Sequence, residues 1–169
     1  MLRFYTVELN YIEYLKRSEI ETRGFTRVPN MYYPDRKAKF VCGVVKKING
    51  FKYFAPITSY HTQKSENICI PSPDDAKKYI SSIRFNYMFP VPDEYIFPFN
   101  FSQIDDLNYK KLVEYEYKFL KSKELQVFAK ADDTYRKVIS PTGHANLKYN
   151  SCDFLLLEQK CLEYISHRG

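Results

Sequence analysis

The alternation of apolar and polar positions predicts strands in the first half of the chain and helices in the second. The clearest element is a hairpin over Lys39–Ser59, in which two β-rich segments are joined by Asn49-Gly50. This dipeptide favours a two-residue turn, because both central residues of a type I′ turn need positive φ. Further strands are predicted at 3–7, 68–70 and 82–88.

Helical periodicity supplies the remaining elements. Asn10 is predicted to cap an amphipathic helix after the first strand, and Asp153 is predicted to cap the last helix. Other helices are predicted at 73–79, 107–123 and 124–139, and 21–36 is predicted to be a loop. Strands followed by helices indicate a single α+β domain over residues 1–169.

The first hairpin strand is apolar on both faces, which indicates a strand buried within a closed or strongly curved sheet. Gly43 lies inside this strand. A glycine there marks a bend or the close approach of another group. The strand is therefore expected to run through the core.

Charge and aromatic content favour a nucleic-acid partner. The net charge is +6, and the chain contains 16 tyrosines and 13 phenylalanines but no tryptophan. Basic side chains neutralise phosphates and exposed rings stack on bases, although most rings in such a domain belong to its core. The composition therefore suggests nucleic-acid binding without establishing it.

Membrane, disulfide and metal signals are weak in this sequence. No run approaches the roughly 20 apolar residues of a spanning helix, and the N-terminus lacks a signal-peptide core, so we expect a cytoplasmic protein. The four cysteines form no CxxC pair and are expected to be buried free thiols. The acidic residues fall in adjacent pairs, which suit helix starts and solvated turns, so neither a metal nor another cofactor is expected.

Polar and basic residues gather at the open end of the predicted hairpin, where Lys39 lies near Thr58 and Ser59, with His61 and Lys64 just beyond. RNA can be cut by its own 2′-hydroxyl attacking the adjacent phosphate, giving a 2′,3′-cyclic phosphate and a 5′-hydroxyl. The protein must then position the RNA, transfer protons and stabilise the added negative charge. In this hypothesis Lys39 neutralises the phosphoryl oxygens and the two hydroxyls hold them or the attacking group. His61 or Lys64 donates a proton to the leaving oxygen.

The same chain also fits two non-catalytic functions. In the first, a basic ribbon grips phosphates and tyrosines stack on bases, so that RNA is bound but not cut. The contact residues in this interpretation are Tyr33, Lys37, Lys46, Lys47 and Lys52. In the second, the C-terminal helices dock another protein and the charge is incidental. A strand end and an ordinary surface would also explain Thr58, Ser59 and His61, while His144 and His167 stand isolated in polar segments.

Four segments resemble, in order, the ToxN/AbiQ family, the endoribonuclease toxins of type III toxin-antitoxin systems. They are RFYTVELNYIEYLKR, KFVCGVVKKINGFKYFAPITS, IRFNYMFPV and CDFLLLEQKCLEYI. Together they extend over nearly the whole chain. By this resemblance, the family's basic residue before the hairpin corresponds to Lys39, its Thr-Ser pair to Thr58-Ser59, and a loop tyrosine to Tyr33.

The resemblance implies a compact, strongly curved, barrel-like antiparallel sheet surrounded by helices, similar to MazF/Kid-type toxins. It implies metal-independent, sequence-preferring RNA cleavage in the bacterial cytoplasm. The expected partner is a small, repeated, pseudoknotted RNA antitoxin, which the toxin cuts from a precursor and which inhibits it. Toxin and RNA are expected to form a closed hetero-oligomer that acts in phage defence.

One departure from the family pattern affects the catalytic assignment. Where the family commonly has Thr-Ser-Pro-Lys, this chain has Thr58-Ser59-Tyr60-His61, and the next lysine is Lys64. The catalytic cation or acid is therefore either His61, or Lys64 reaching back from a longer loop. The sequence leaves both alternatives open.

Overall fold

The computed structural model describes residues 2–32 and 39–168, except the side chains of 44–46 and 168. The strands in this part are β1 (Phe4–Val7), β2 (Val41–Ile48), β3 (Phe51–Thr58), β4 (Asn67–Pro71), β5 (Tyr79–Arg84), β6 (Phe89–Pro90) and β7 (Ile96–Pro98). The α-helices are α1 (Leu9–Arg23), α2 (Leu107–Ser122), α3 (Glu124–Ile139), α4 (Ala145–Tyr149) and α5 (Phe154–Arg168). The α+β prediction is therefore confirmed.

The predicted hairpin is formed by β2 and β3. Asn49 and Gly50 have φ values of 50° and 82°, the positive angles that a type I′ turn needs. The strands pair antiparallel with Val41 opposite Pro56 and Cys42 opposite Ala55. Beyond this ladder the open end of the hairpin carries Thr58.

The described strands form one antiparallel sheet that does not close. Its order is β4-β5-β3-β2-β1-β7, with β6 paired to β3. At one end, the Tyr115 hydroxyl of α2 donates a hydrogen bond of 2.6 Å to the Pro71 carbonyl of β4. The barrel-like part of the prediction is thus wrong for the described residues, since β4 pairs with β5 but not with β7.

Gly43 provides the close approach that the sequence suggested. A Cβ atom at this position would lie 2.7 Å from Cε2 of Tyr5 and 3.4 Å from Cε1 of Phe54. The Tyr5 and Phe54 rings meet edge to face, 5.4 Å between centroids. The absent side chain therefore lets Tyr5 lie flat across β2, and β1 pairs with β2 at this point.

The prediction for the start of α1 was wrong by two residues. Glu8, not Asn10, is the N-cap, and its carboxylate accepts a hydrogen bond of 2.8 Å from the Tyr11 amide. The helix continues to Arg23 and ends at Gly24, whose φ of 83° is left-handed. The predicted loop thus begins three residues later than expected.

The helix predicted at 73–79 is absent, and β5 begins there at Tyr79. Side chains compete with helical backbone bonding in this segment. Ser72 Oγ accepts from the Asp74 amide at 3.2 Å, and Asp75 Oδ1 accepts from the Lys77 amide at 3.0 Å. The strand predicted at 82–88 correspondingly starts earlier and ends at Arg84, followed by a 3-10 turn over Phe85–Tyr87.

α2, α3 and α5 agree with the prediction, whereas α4 lies in a segment for which no helix was predicted. α2 and α3 are separated at Lys123, and Asp153 Oδ1 accepts from the Leu156 amide at 3.2 Å, as a cap of α5. All four cysteines are buried free thiols, as expected. Among the described residues, no helix has the length and apolar character needed to cross a membrane.

A buried carboxylate joins the hairpin to the helices. Glu158 of α5 is 4% exposed and accepts hydrogen bonds from the Tyr53 hydroxyl (2.5 Å), the Tyr135 hydroxyl (2.8 Å) and the side-chain Nδ2 of Asn49 (2.8 Å). These four residues, here named the Glu158 cluster, connect the turn, β3, α3 and α5. Burial, followed by the hydrogen bond to Glu158, raises the pKa of both tyrosines, so each hydroxyl stays a donor.

We predict that Glu158→Ala lowers the free energy of unfolding by about 3 kcal/mol, because two buried tyrosine hydroxyls lose their acceptor. Urea unfolding followed by circular dichroism measures this change. Glu163→Ala on the same helix is the control, since its pair with Lys160 is at the surface and should leave the free energy of unfolding nearly unchanged. Equal losses in the two variants would contradict a structural role for the cluster.

Candidate active site

The open end of the hairpin presents two adjacent hydroxyls. Thr58 ends β3 and is half-buried, and Ser59 is exposed. Thr58 Oγ1 accepts a hydrogen bond of 3.3 Å from the Tyr60 amide, and its backbone pairs with Ser82. β2 begins at Val41, opposite Pro56, and Lys39 lies two residues before it, where its amide donates a hydrogen bond of 2.8 Å to the Met31 carbonyl. The proximity of the Lys39 side chain to the two hydroxyls stays a prediction.

His61 lies directly beside Ser59. Its Nδ1–H donates to the Ser59 carbonyl at 3.1 Å, and the ring is exposed. With Nδ1 occupied in this way, Nε2 is the ring atom left to exchange a proton with a ligand. The structure therefore brings His61 to the predicted hydroxyl pair.

Lys64 has a different location. It lines a large cavity together with Tyr60, Arg84 and His144. Its backbone amide donates 2.8 Å to Oδ1 of Asn67, which is buried. The two candidates for the catalytic cation or acid therefore lie in different places. His61 is bonded to the Ser59 carbonyl, whereas Lys64 lines the neighbouring cavity.

The loop between Ser59 and β4 is held by two amide side chains. Gln63 Nε2 donates to the Asn67 carbonyl at 2.9 Å and to Asn67 Oδ1 at 3.0 Å. Asn67 Nδ2 donates to the Thr62 carbonyl at 3.0 Å, and the Cys69 amide donates to Gln63 Oε1 at 3.1 Å. This polar segment is consequently a hydrogen-bonded loop with a fixed conformation, which positions His61 and Lys64.

A small cavity opens beside the hydroxyl pair. It has a volume of about 170 Å³, and Phe40, Ile57 and Leu112 form apolar parts of its lining. Thr58 and Ser59 also line it, so we name it the Ser59 cavity. Its dimensions and apolar wall suit a flat or small organic group lying against the hydroxyls.

The Ser59 cavity also contains a carboxyl group that the sequence interpretation missed. Glu116 of α2 is 4% exposed, and Ser81 Oγ donates to its Oε2 at 2.5 Å. Burial raises the pKa of Glu116 above the ordinary glutamate value, and the Ser81 hydrogen bond opposes part of this shift. A signal existed in the sequence, because Glu116 lies on the helical face of Val113 and Leu120, both buried.

Only some of the predicted RNA-binding residues lie in the part of the chain that the structure describes. Tyr33 and Lys37 lie outside the described residues, as does the side chain of Lys46. Lys47 is exposed, and Lys52 is exposed and paired with Asp93 at 2.8 Å. Both lie near the turn, and Lys52 is about 20 Å along β3 from Thr58 at 3.3 Å per residue. Any contact that these lysines make with RNA is therefore remote from the hydroxyl pair.

Other ionisable residues have structural explanations. Asp132 and Asp133 pair with Arg136 and Lys137 one helical turn later, as expected for a solvated helix face. Asp106 caps α2 by accepting from the amides of Asn108 and Tyr109. His167 Nδ1 donates to the Glu163 carbonyl at 2.7 Å. These groups do not converge on the hydroxyl pair.

Comparisons with known proteins agree over nearly the whole chain. The family model described as toxin ToxN, type III toxin-antitoxin system, matches residues 3–162. Endoribonuclease ToxN of Bacillus thuringiensis subsp. kurstaki is 30% identical, over 96% of this chain and 84% of the relative. A solved structure concerning selective inhibition of a type III toxin by a non-coding RNA pseudoknot aligns with a TM-score of 0.83 and 29% identity, over 96% of this chain and 97% of that one. AbiQ, a lactococcal anti-phage endoribonuclease of a type III system, aligns with a TM-score of 0.78 and 27% identity, over 98% and 99%.

We predict that Glu116→Gln changes how stability depends on pH. A carboxyl with a raised pKa binds more protons in the folded than in the unfolded state, so wild-type stability falls as pH rises from 4.5, the ordinary value, through the raised one. Glutamine does not titrate, so the variant does not lose stability in this way as the pH rises. Its stability relative to wild type should therefore increase over that interval, as measured by urea unfolding at a series of pH values.

Glu114→Gln, on the same helix but outside the lining of the Ser59 cavity, serves as the control. Its stability difference from wild type should stay constant over the same interval. A constant difference for Glu116→Gln as well would contradict the burial argument.

Proposed function

This chain belongs to the ToxN toxin family of type III toxin-antitoxin systems, and we propose that it is a metal-independent endoribonuclease. It uses the 2′-hydroxyl of RNA as the nucleophile and leaves a 2′,3′-cyclic phosphate and a 5′-hydroxyl. The observation that carries this proposal is the Thr58-Ser59 hydroxyl pair beside a cavity, with the His61 ring bonded to the Ser59 carbonyl. The endoribonuclease names of the relatives support the same reaction class.

Each group has a role that needs no metal. Lys39 neutralises the non-bridging oxygens as negative charge develops on the phosphate, and the Ser59 hydroxyl donates a hydrogen bond to one of them. Thr58 Oγ1 accepts from the Tyr60 amide, so its own proton is free to bond to the phosphate or orient the attacking oxygen. These interactions strengthen as the phosphorane forms, and so they lower the barrier.

His61 is the proton donor in this proposal. The leaving 5′-oxygen needs a proton, and a protonated Nε2 supplies it while Nδ1 holds the ring on the Ser59 carbonyl. Lys64 acts instead as a fixed positive charge at the neighbouring cavity. The different positions of the two side chains support this division of roles.

The partner is proposed to be a small, repeated RNA antitoxin with a pseudoknot fold. The toxin cuts it from a precursor and is inhibited by it in a closed hetero-oligomer, in the bacterial cytoplasm and as part of phage defence. Solved structures similar to this chain support this proposal. They concern the inhibition of a toxin by an RNA pseudoknot, the regulation of an antiviral system by a processed non-coding RNA, and an anti-phage endoribonuclease. The likeness of the sheet to MazF/Kid-type toxins stays a prediction.

We predict that the purified protein cuts mixed RNA in excess EDTA and leaves cyclic-phosphate ends, whereas Ser59→Ala reduces the rate by about 100-fold or more, because it removes a donor to the charged intermediate. Sequencing with end-specific ligation maps the cuts and their chemistry. Ser166→Ala, which removes an exposed hydroxyl of α5, is the control and should retain full activity. RNA that is bound but left intact by wild type would instead support the non-catalytic binding module.

We predict that His61→Ala slows cleavage of ordinary RNA by about 100-fold, the size of a general acid contribution. An RNA with sulfur in place of the leaving 5′-oxygen should restore most of this loss, because a thiolate departs without a proton. Lys64→Ala should show no such rescue. Rescue of Lys64→Ala but not of His61→Ala would reverse the assignment.

A further inference from the structure

A second and larger cavity is lined by Tyr60, the residue that follows the hydroxyl pair in the chain. Its volume is about 740 Å³, and it is lined by residues of the loop after β3, the end of β5 and the segment that carries α4. The residues important here are Tyr60, Lys64, Arg84, Asn86 and Tyr87, and we name the space the Arg84 cavity. It is large enough for one nucleotide.

Arg84 is held in this cavity by aromatic rings alone. Its guanidinium carbon lies 4.1 Å from the centroid of the Tyr60 ring and 4.3 Å from that of Tyr87. Its Nε is buried without a hydrogen-bond partner, and within the described residues no carboxylate pairs with the side chain. Stacking fixes the plane of the guanidinium, so its N–H donors are oriented but unused.

Asn86 contributes a hydrogen-bond acceptor that has no donor, whereas Arg84 contributes a donor that has no acceptor. The residue is 1% exposed, and its Nδ2 donates to the Asn150 carbonyl at 2.8 Å. This bond fixes the carboxamide, yet Oδ1 is buried without a donor. A buried polar atom without a partner has lost its hydrogen bonds to water and gained none in exchange, so native proteins contain few such atoms.

The two unused groups together select among ligands. A phosphate offers only acceptors and would satisfy Arg84 but not Asn86. A nucleobase offers an acceptor beside an N–H donor on one edge, as adenine, guanine, cytosine and uracil all do, and so it matches both. Nε and Oδ1 are buried atoms of two residues that line the cavity, so a base contacts them only once neighbouring side chains move, a rearrangement that is common on binding.

Charge and position connect this cavity to RNA. Lys64 and Arg84 add two positive charges, and the Glu66 carboxylate in the lining accepts from the Ser65 hydroxyl at 3.0 Å. Tyr60 directly follows Ser59 in the chain, and its carbonyl accepts from Ser82 Oγ at 2.7 Å. A nucleotide in the cavity is therefore a near neighbour of a phosphate at Ser59.

We propose that the Arg84 cavity binds one base of the RNA, adjacent to the cleaved phosphodiester, and thereby sets the nucleotide preference at that position. Arg84 donates to a base nitrogen or carbonyl, Asn86 accepts from an N–H of the same base, and Tyr60 and Tyr87 hold the guanidinium between them. This assignment rests on the proposed endoribonuclease function and adds the residues that read the sequence.

The first test compares Arg84→Lys with wild type on an RNA library randomised around the cut site. Lysine keeps the charge but loses the planar fork, so cleavage of the preferred sequence should fall about 10-fold or more and the preference at one adjacent position should relax. Arg136→Lys, an exposed arginine of α3 paired with Asp132, is the matched control and should leave the profile unchanged. A uniform loss over all sequences, or no loss, would overturn the proposal.

The second test uses the wild-type protein and so does not depend on how a variant folds. Replacing each nucleotide near the cut in turn by an abasic residue removes the base that the cavity would hold, and substitution at a single position should weaken cleavage and binding. Binding is measured by fluorescence anisotropy on RNA with a 2′-deoxy nucleotide at the cut site, which cannot be cleaved. If wild type binds this RNA but cuts no RNA, the proposed function fails; if every abasic position and Arg84→Lys leave binding unchanged while cleavage is intact, only the cavity assignment fails.

Discussion

A carboxylate buried in the core links the two halves of this chain. Glu158 is near the C-terminus, yet its donors come from the hairpin turn, from β3 and from α3. A buried carboxyl group is tolerated only when its oxygens are hydrogen-bonded, so these elements pack around it together. The turn end of the hairpin is thereby fixed in the core, and the opposite end of the same ribbon presents the Thr58-Ser59 hydroxyl pair.

Three consecutive residues at that opposite end, Thr58 to Tyr60, line two cavities that differ in size and charge. Thr58 and Ser59 line a small cavity whose deepest ionisable group is Glu116, a carboxyl that burial favours in its protonated form. Tyr60 faces a larger cavity with Arg84 and Lys64. Such a pair of cavities suits a polyanion with flat bases. Its phosphates can lie near Arg84 and Lys64, and its uncharged parts can lie against the apolar wall of the Ser59 cavity.

Local signals predicted the fold well wherever a single residue type decides the conformation. Asn49-Gly50 fixed the turn, Asp153 capped α5, and Gly43 admitted the Tyr5 ring, because each depends on φ, a nearby amide or the absence of a Cβ. Prediction failed at 73–79, where side-chain bonds to the backbone outweighed helix propensity. The candidate site could be predicted only in part. Thr58, Ser59 and His61 could be grouped because they are neighbours in the sequence. Arg84 and Glu116 reach the same region from β5 and α2, and only tertiary packing reveals them.

The amide network of Gln63 and Asn67 has a consequence for how tightly RNA is held. A loop of polar residues next to an exposed serine would ordinarily lose conformational entropy when a ligand orders it, and that loss would weaken the complex. Here bonds to the buried Asn67 side chain already hold the loop within the protein's own fold. For the proposed RNA ligand, more of the binding energy of each contact is therefore available for affinity and for selecting among nucleotides, and less is needed for organising the protein.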